Sequence, residues 1–328
     1  MKQFQMRHSG SVGVDAAISK GLKFLLARQS AQGFWADWQL PPGESLIWTT
    51  AYVGYRLSSL CETHRNSAEA AMQKAARWLL IRELPGSGWG YTEEVPCDAD
   101  STALAILFLT SQGFSIPERT WERLREFQRP DGGFATFTAH AGVGSWMLSH
   151  PEVTATALMA LIPENPSSGP SIERGIAYSR KQMTSAGLWN SFWWKSSLYA
   201  TESNLLLFRR AGFESGLTRT ALRTIRPENS FEHALLILSL LHAGNAINAP
   251  ELNESVEALL SAQLQDGSWP SVPILRLTDR DCSEPWTRND AGPLFADQNR
   301  IFTSATAVAA LCNKESLCQH AVSRHCVI

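Results

Sequence analysis

Four times along the chain a Gln stands six or seven residues ahead of an aromatic ring with Gly between them: Gln29 to Trp35, Gln128 to Phe134, Gln182 to Trp189 and Gln263 to Trp269. A further turn at 85–89 keeps Gly88 and Trp89 without the Gln. A segment that recurs in this way marks a recurring structural unit. The residue types suggest how each turn works. The Gln amide bonds helix-end groups, the ring packs on a neighbouring unit, and Gly supplies the backbone freedom to reverse direction.

Between the turns two kinds of helix alternate. The spacing predicts an amphipathic helix over 14–29, with Ala17, Ile18, Leu22, Leu25 and Leu26 on one side and Lys20, Lys23 and Arg28 elsewhere. A more apolar helix over 44–60 follows, carrying Trp48, Tyr52 and Tyr55. The same pairing repeats as 67–83 with 98–112, 117–128 with 151–161, 171–183 with 198–211, 217–225 with 231–243, and 253–263 with 300–311. The 217–243 pair has no Gly-Trp turn. An amphipathic helix before a mostly apolar one implies an outer, half-solvated ring around an inner ring buried on both sides. Six such pairs close an all-α, α6/α6 barrel. It would occupy 12–313 as one domain, between a loose polar stretch at 1–11 and a tail at 314–328. No stretch has strand periodicity, and the 270–299 connection, long for a barrel, is expected to act as a lid or to shape the pocket.

Composition narrows the function. With 29 Lys and Arg against 31 Asp and Glu, a net charge of −2 offers no basic surface for nucleic acid. Charged residues make only 18% of the chain and there are 12 Trp, so the interior is large and rich in rings. The six Cys form no CxxC pair and the N-terminus shows no charged-then-apolar signal, which fits a reduced, cytoplasmic compartment. No apolar run approaches the ~20 residues needed to cross a bilayer. Oligomeric state has no signature here.

Chemistry concentrates at Pro96-Cys97-Asp98-Ala99-Asp100-Ser101-Thr102-Ala103, the start of an apolar helix. Asp98 suits an N-cap, with Ser101 and Thr102 in the first turn. Asp100 lies one turn inside. If that helix points into an apolar hollow, lost hydration and the Asp98 charge both favour a protonated Asp100, able to act as an acid. Rings gather at the other inner-helix starts: Trp48, Tyr52, Tyr91, Phe137, Trp146, Phe192, Trp193, Tyr199 and Phe302, with Glu152 among them. A ring face stabilises a carbocation by roughly 1 to 2 kcal/mol without offering a lone pair that would trap it.

The Gln-x3-Gly-x-Trp turns, the six helix pairs and Asp98-Ala-Asp100-Ser101-Thr102-Ala103 together resemble the class II terpene cyclases, the squalene-hopene and oxidosqualene cyclase superfamily. The likeness is to their catalytic barrel. It implies metal-independent cyclisation of a linear isoprenoid or meroterpenoid, without a cofactor, in which Asp100 is the general acid and Asp98 its partner. Ser101 stands where alkene-protonating members carry a last Asp and epoxide-protonating members a Cys, so both substrates remain open. Glu152-Val-Thr-Ala-Thr156 resembles a family segment that ends in the His bonding the acid. Thr156 replaces that His, leaving His150, Cys97 or a water to orient the acid. The segment 189–199 resembles a family stretch in which Trp193 would stabilise cations and Tyr199 would contact the acid through water. Tyr91 and Phe137 match two further cavity positions. The expected partner is a hydrophobic isoprenoid, taken up through peripheral contact with a membrane, and Lys195, Arg209 and Arg210 are the basic residues available to a diphosphate.

Three other readings share such a barrel. A prenyltransferase β-subunit needs Asp, Cys and His at zinc-binding spacing, which His233, His242 and Cys282 do not provide. A glycosidase needs two carboxylates flanking a sugar, such as Asp100 with Glu152, Glu202 or Glu232. A non-catalytic isoprenoid binder would keep the cavity with a weakened acid.

Overall fold

The computed structural model describes residues 2–84, 88–162, 169–213, 216–246 and 248–325, with side chains described between 13 and 317 except at 216 and 217. Part of the expected turn at 85–89 and the last three residues therefore lie outside the described residues.

Twelve α-helices are described: α1 (Lys2–Arg28), α2 (Ile47–Leu57), α3 (Glu62–Leu80), α4 (Ala99–Ser111), α5 (Glu118–Arg125), α6 (Pro151–Leu161), α7 (Gly169–Lys181), α8 (Leu198–Arg210), α9 (Gly216–Leu222), α10 (Ser230–His242), α11 (Pro250–Ala262) and α12 (Ile301–His325). Each of α2, α4, α6, α8 and α10 packs against the next even-numbered helix, and α12 packs back against α2. This is the closed inner ring that the alternation of apolar and amphipathic helices predicts. The odd-numbered helices lie outside it. Two helices outrun expectation. Helix α1 begins at Lys2, so the stretch 1–11 read as loose is almost all helical backbone, and α12 continues through the expected tail to His325. No proline stands within α12 to stop it.

Four short strands also form where none was expected. β1 (Asp37–Leu40) pairs antiparallel with β2 (Gly43–Ser45), and β3 (Leu275–Arg276) with β4 (Leu294–Phe295). They are too short for an alternating pattern to be visible in sequence. The second hairpin belongs to the long 270–299 connection, and it is fastened to the segment before α8: Arg276 N–H donates to Trp193 C=O at 2.7 Å and Lys195 N–H to Ile274 C=O at 2.9 Å. That connection is a fixed wall rather than a free flap.

The recurrent turns work as latches. The indole N–H of Trp35 donates to Leu25 C=O at 2.7 Å, Trp89 to Leu79 at 2.9 Å, Trp189 to Ser179 at 2.7 Å and Trp269 to Leu259 at 2.8 Å. Each acceptor lies ten residues back, near the end of the outer helix just completed, where carbonyls lack helical donors. The backbone N–H of the same aromatic donates forward, to Thr50, Thr102, Thr201 or Ser304, and Phe134 N–H donates likewise to Thr154. All five hydroxyls sit at the fourth residue of an inner helix. The Gln reaches sideways. Gln29 Nε2 bonds Gly33 C=O and Ala71 C=O of α3, Gln128 bonds Gly132 and Ser171 of α7, and Gln263 bonds Gly267 and Ala17 of α1. The last of these closes the ring between the final and first units. Gly267 has φ +91°, and a Cβ there would collide with the Lys20 carbonyl of α1.

A charged cluster bridges the ring interior. Arg56 of α2 makes two hydrogen bonds to Glu202 of α8, at 2.9 and 3.0 Å, and His242 of α10 lies 3.3 Å from the same carboxylate. Burial is the largest single influence and raises Glu202, but the Arg56 charge and the hydrogen bonds from His242 and Arg56 together outweigh it and bring the group down to about 2, so it is ionised throughout the working range.

Two outcomes follow for stability. Trp269→Phe leaves the Leu259 carbonyl without its donor and should lower the unfolding free energy by about 1 to 3 kcal/mol, whereas Trp269→Ala also opens a void and should lose about 3 to 5 kcal/mol; urea unfolding distinguishes them. Glu202→Gln strands Arg56 in a buried site and should destabilise by about 3 to 5 kcal/mol. Because the folded value of Glu202 lies below its ordinary one, its contribution is present above the ordinary value and is lost as pH falls toward about 2, a dependence that melting curves of this variant should lack.

Candidate active site

The inner helices begin at one end of the barrel, and a cavity of about 1040 Å³ opens there. Small-molecule sites typically span ~300–1,000 Å³, so this one admits a large ligand. Its walls come from α4, α6, the segment before α8, the turn after β1, the 136–146 connection and β3 with the residues that follow.

Asp98 and Asp100 hold different positions at the start of α4. Asp98 is the N-cap. Its Oδ1 accepts the Ser101 N–H at 2.7 Å and its Oδ2 the Ser101 hydroxyl at 2.8 Å. Both oxygens are thus engaged, and burial, with the Asp100 charge as a smaller cause, pushes the group up to about 7 against those hydrogen bonds. Asp100 faces the cavity. Its Oδ2 accepts the indole N–H of Trp48 at 2.8 Å, and Oδ1 is buried without a partner. The nearby Thr156 hydroxyl donates to Glu152 C=O at 2.9 Å. Lost hydration raises Asp100 to about 6, opposed chiefly by the Trp48 hydrogen bond. The group that holds the carboxyl is therefore Trp48, not His150 or Cys97. His150 stacks on Phe192 with ring centroids 3.7 Å apart, and burial lowers it to about 3. Cys97 instead contacts the Thr102 hydroxyl at 3.6 Å.

Glu152, in the first turn of α6, also lines the cavity. Its Oε1 accepts the backbone N–H groups of Phe192 and Trp193 at 2.7 and 2.8 Å, Oε2 has no partner, and burial raises it to about 7.

Of the rings read as cavity-lining, Trp48, Tyr91, Phe137, Trp146 and Trp193 do face it, as do Asp98, Ser101 and Glu152. Trp146 meets Trp193 edge-on with centroids 5.2 Å apart, and its indole N–H is fixed by Thr278 C=O at 2.7 Å. Trp193 donates to the Thr136 hydroxyl at 2.9 Å and Tyr91 to Trp38 C=O at 2.6 Å. Four expected residues stand elsewhere. Tyr52 and Phe302 stack face to face at 3.7 Å, Tyr199 stacks on Trp194 at 4.1 Å, and Trp194 in turn lies parallel to Phe302 at 5.2 Å. These rings fill the bore beside the cavity, and stacking removes Tyr52, Phe302 and Tyr199 from its surface, while Trp194 still lines it. Phe192 is held away by His150. Tyr199 still feels the Asp100 charge, which adds to burial in raising its hydroxyl.

Arg276 and Arg280 line the cavity as well, and sequence reasoning singled out neither; Trp194, one of the rings near the inner-helix starts, also faces it. Of the long connection, 275–280 and Pro293 line the cavity, whereas Trp286 is 40% exposed. The basic residues expected to meet a diphosphate do not line it: Lys195 pairs with Glu228 at 3.7 Å, and Arg209 and Arg210 sit in the last turn of α8. The glycosidase alternatives lose Glu202 to Arg56 and Glu232 to the Glu228 backbone N–H, which its Oε2 accepts at 2.8 Å, and neither carboxylate lines the cavity. Among the described residues no three His, Cys, Asp or Glu side chains converge, and no helix is long and apolar enough to cross a membrane.

No family model matches the chain. In sequence it is 27% identical to the squalene-hopene cyclase of Schizosaccharomyces japonicus, over 51% of this chain and 31% of that protein, so it spans under a third of its relative's length. In structure it superposes on type II terpene cyclase MstE of Scytonema at 24% identity, covering 94% of this chain and 99% of that one, with a TM-score of 0.81 for the complex with geranylgeranyl dihydroxybenzoate, the substrate of MstE. A protein from Actinoplanes gives a TM-score of 0.81 at 22% identity, covering 92% and 99% of the two chains. The chain thus has the fold of the type II terpene cyclases over nearly its whole length, and over half of it resembles a squalene-hopene cyclase in sequence.

Proposed function

We propose that the chain cyclises a linear isoprenoid or meroterpenoid by protonation, with Asp100 as the general acid. The observation that carries this is the Asp100 carboxyl in the wall of a ring-lined cavity: one oxygen is held by Trp48, and the other is buried with no hydrogen-bond partner. With Oδ2 accepting the indole N–H, a proton on Oδ1 meets no protein acceptor. It is available to a terminal alkene or epoxide. The O–H bond breaks and, for an alkene, its π pair forms the new C–H bond, leaving a tertiary cation that the next double bond attacks. For an epoxide the oxygen takes the proton as its C–O bond opens. Trp48, Trp146, Trp193 and Trp194 offer ring faces to the moving charge, each worth roughly 0.5 to 2 kcal/mol. The sequence ends when a neighbouring C–H gives up its proton, an isomerisation with no net change in atoms, or when water adds. Asp100 then recovers its proton from solvent.

Further support comes from the fold neighbour MstE, which binds geranylgeranyl dihydroxybenzoate as substrate and merosterolic acid A as product. Uptake from a membrane surface belongs to the same proposal: Leu148 and Leu294, next to the lining segments, are 50% and 40% exposed.

Incubation with polyprenyl alkenes, epoxides and meroterpenoids of farnesyl to squalene length, followed by chromatography, tests the reaction. Asp100→Asn should abolish product; product that persists excludes the acid role. The acid works only when protonated, so the rate should be greatest below about 6 and fall about tenfold per pH unit above it. Trp48→Phe removes a hydrogen bond that favours the ionised form. The inflection should therefore move to higher pH even as the rate at low pH falls, and an unmoved inflection would separate Trp48 from the acid.

A further inference from the structure

One charge in the cavity has no counter-ion. Arg276, on β3, lines the wall yet is only 9% exposed, and its Nη1 is buried without a hydrogen-bond partner. Its backbone is fixed by Trp193, so the side chain stays at this place in the wall. A guanidinium remains protonated in proteins even when burial lowers its affinity for the proton, as it does here. The groups acting on its charge are the Cys282 thiol and then the Glu152 carboxyl, which makes no ion pair with it among the described residues and is itself held toward its neutral form. Farther out, Arg280 is exposed where the cavity opens, with its guanidinium 5.1 Å from the centre of the Trp146 ring.

A buried, unpaired cation is unfavourable in any protein. Here it is doubly so, because the proposed reaction develops positive charge in the same hollow and a bare guanidinium would oppose it. Both penalties disappear if the substrate brings the anion. We propose that Arg276, assisted by Arg280, is a head-group subsite that selects isoprenoids ending in a carboxylate. Only two arginines line the cavity, and Asp279 lines it beside them. That balance suits one negative charge better than the several of a diphosphate. The inference rests on the isoprenoid-cyclase reading for what the rest of the ligand is, but its test does not depend on turnover.

The four lining tryptophans make intrinsic fluorescence a direct binding readout. The probes are a geranylgeranyl-substituted benzoic acid, its methyl ester and geranylgeranyl diphosphate, titrated into the full chain and into Asp100→Asn. The acid should bind about tenfold or more tightly than the ester. Arg276→Gln should erase that preference by weakening the acid alone, and Arg280→Gln, at an exposed site where folding is safe, should reduce it by about two- to threefold. Equal binding of acid and ester to the unaltered protein overturns the subsite, as does an Arg276→Gln variant that weakens both alike. Tighter binding of the diphosphate than of the acid overturns the carboxylate assignment. If the acid is preferred through Arg276 but no substrate is ever cyclised, the subsite stands and the cyclase reading falls.

Discussion

Closing six helical hairpins into a ring brings the N-termini of all inner helices to one end of the barrel. Each carries backbone N–H groups without helical acceptors and the positive end of its peptide dipoles. Something must accept those bonds, and in this protein acidic and amide side chains do much of it. Asp98 caps α4 and Asn229 caps α10. Asp37 reaches from the first turn to accept N–H groups of Asn299, Ile301 and Phe302 at the start of α12. Asp37 is raised to about 7, chiefly by burial and then by the Asp297 charge, while those hydrogen bonds hold it down. The fold therefore assembles buried carboxyls around one mouth for structural reasons alone. What sets Asp100 apart is that it is not a cap: a side chain, the Trp48 indole, holds one oxygen rather than backbone N–H groups, and the other is unengaged.

The interior behind that mouth is divided. On one side Tyr52, Phe302, Trp194 and Tyr199 stack into a filled column, tied below by Arg56 and Glu202. On the other the space stays open, and the wall completing it comes from the long connection through β3 rather than from an inner helix. The division explains why rings of similar sequence character have different fates. A ring projecting toward the axis finds three or four others and packs. One projecting toward the connection finds a gap. Helix periodicity gives the direction of a side chain but not the shape of what it meets.

This is also where legibility ends. The repeat, the helices and the closed ring were readable because each rests on a local pattern repeated down the chain. Even the motif residue Thr102 is explained by that pattern: it accepts the Trp89 N–H as Thr50, Thr154, Thr201 and Ser304 accept theirs, so its place beside Asp100 belongs to the latch. The caps and short hairpins were less visible, since Asp37 lies over 260 residues from the helix it caps. Trp48 was readable as a ring but not as a donor. Thr156 stands where the resembling segment has a histidine, and its hydroxyl turns back to Glu152 C=O of its own helix, which leaves Trp48 to hold the carboxyl. Arg276 could not be found at all from sequence. A lone arginine in a connection has no periodicity, and only the antiparallel pairing of β3 with β4 and its bonds to Trp193 and Lys195 place it in the wall.

The acid's strength follows from the same geometry. A carboxyl in an apolar hollow with no donors would be pushed far above neutrality and would give up its proton reluctantly. One with every oxygen bonded by backbone N–H groups would stay ionised and have none to give. Asp100 lies between these limits: burial raises it, while the Trp48 indole N–H favours its ionised form, the form that the proposed proton transfer would leave behind. In that proposal, removing the donor would favour the protonated form and yet slow the reaction, because the benefit of the bond grows as the charge develops. The useful quantity is thus the difference the site makes between the acid and its conjugate base, and a hydrogen bond from one indole to one oxygen in an otherwise greasy enclosure bears directly on that difference.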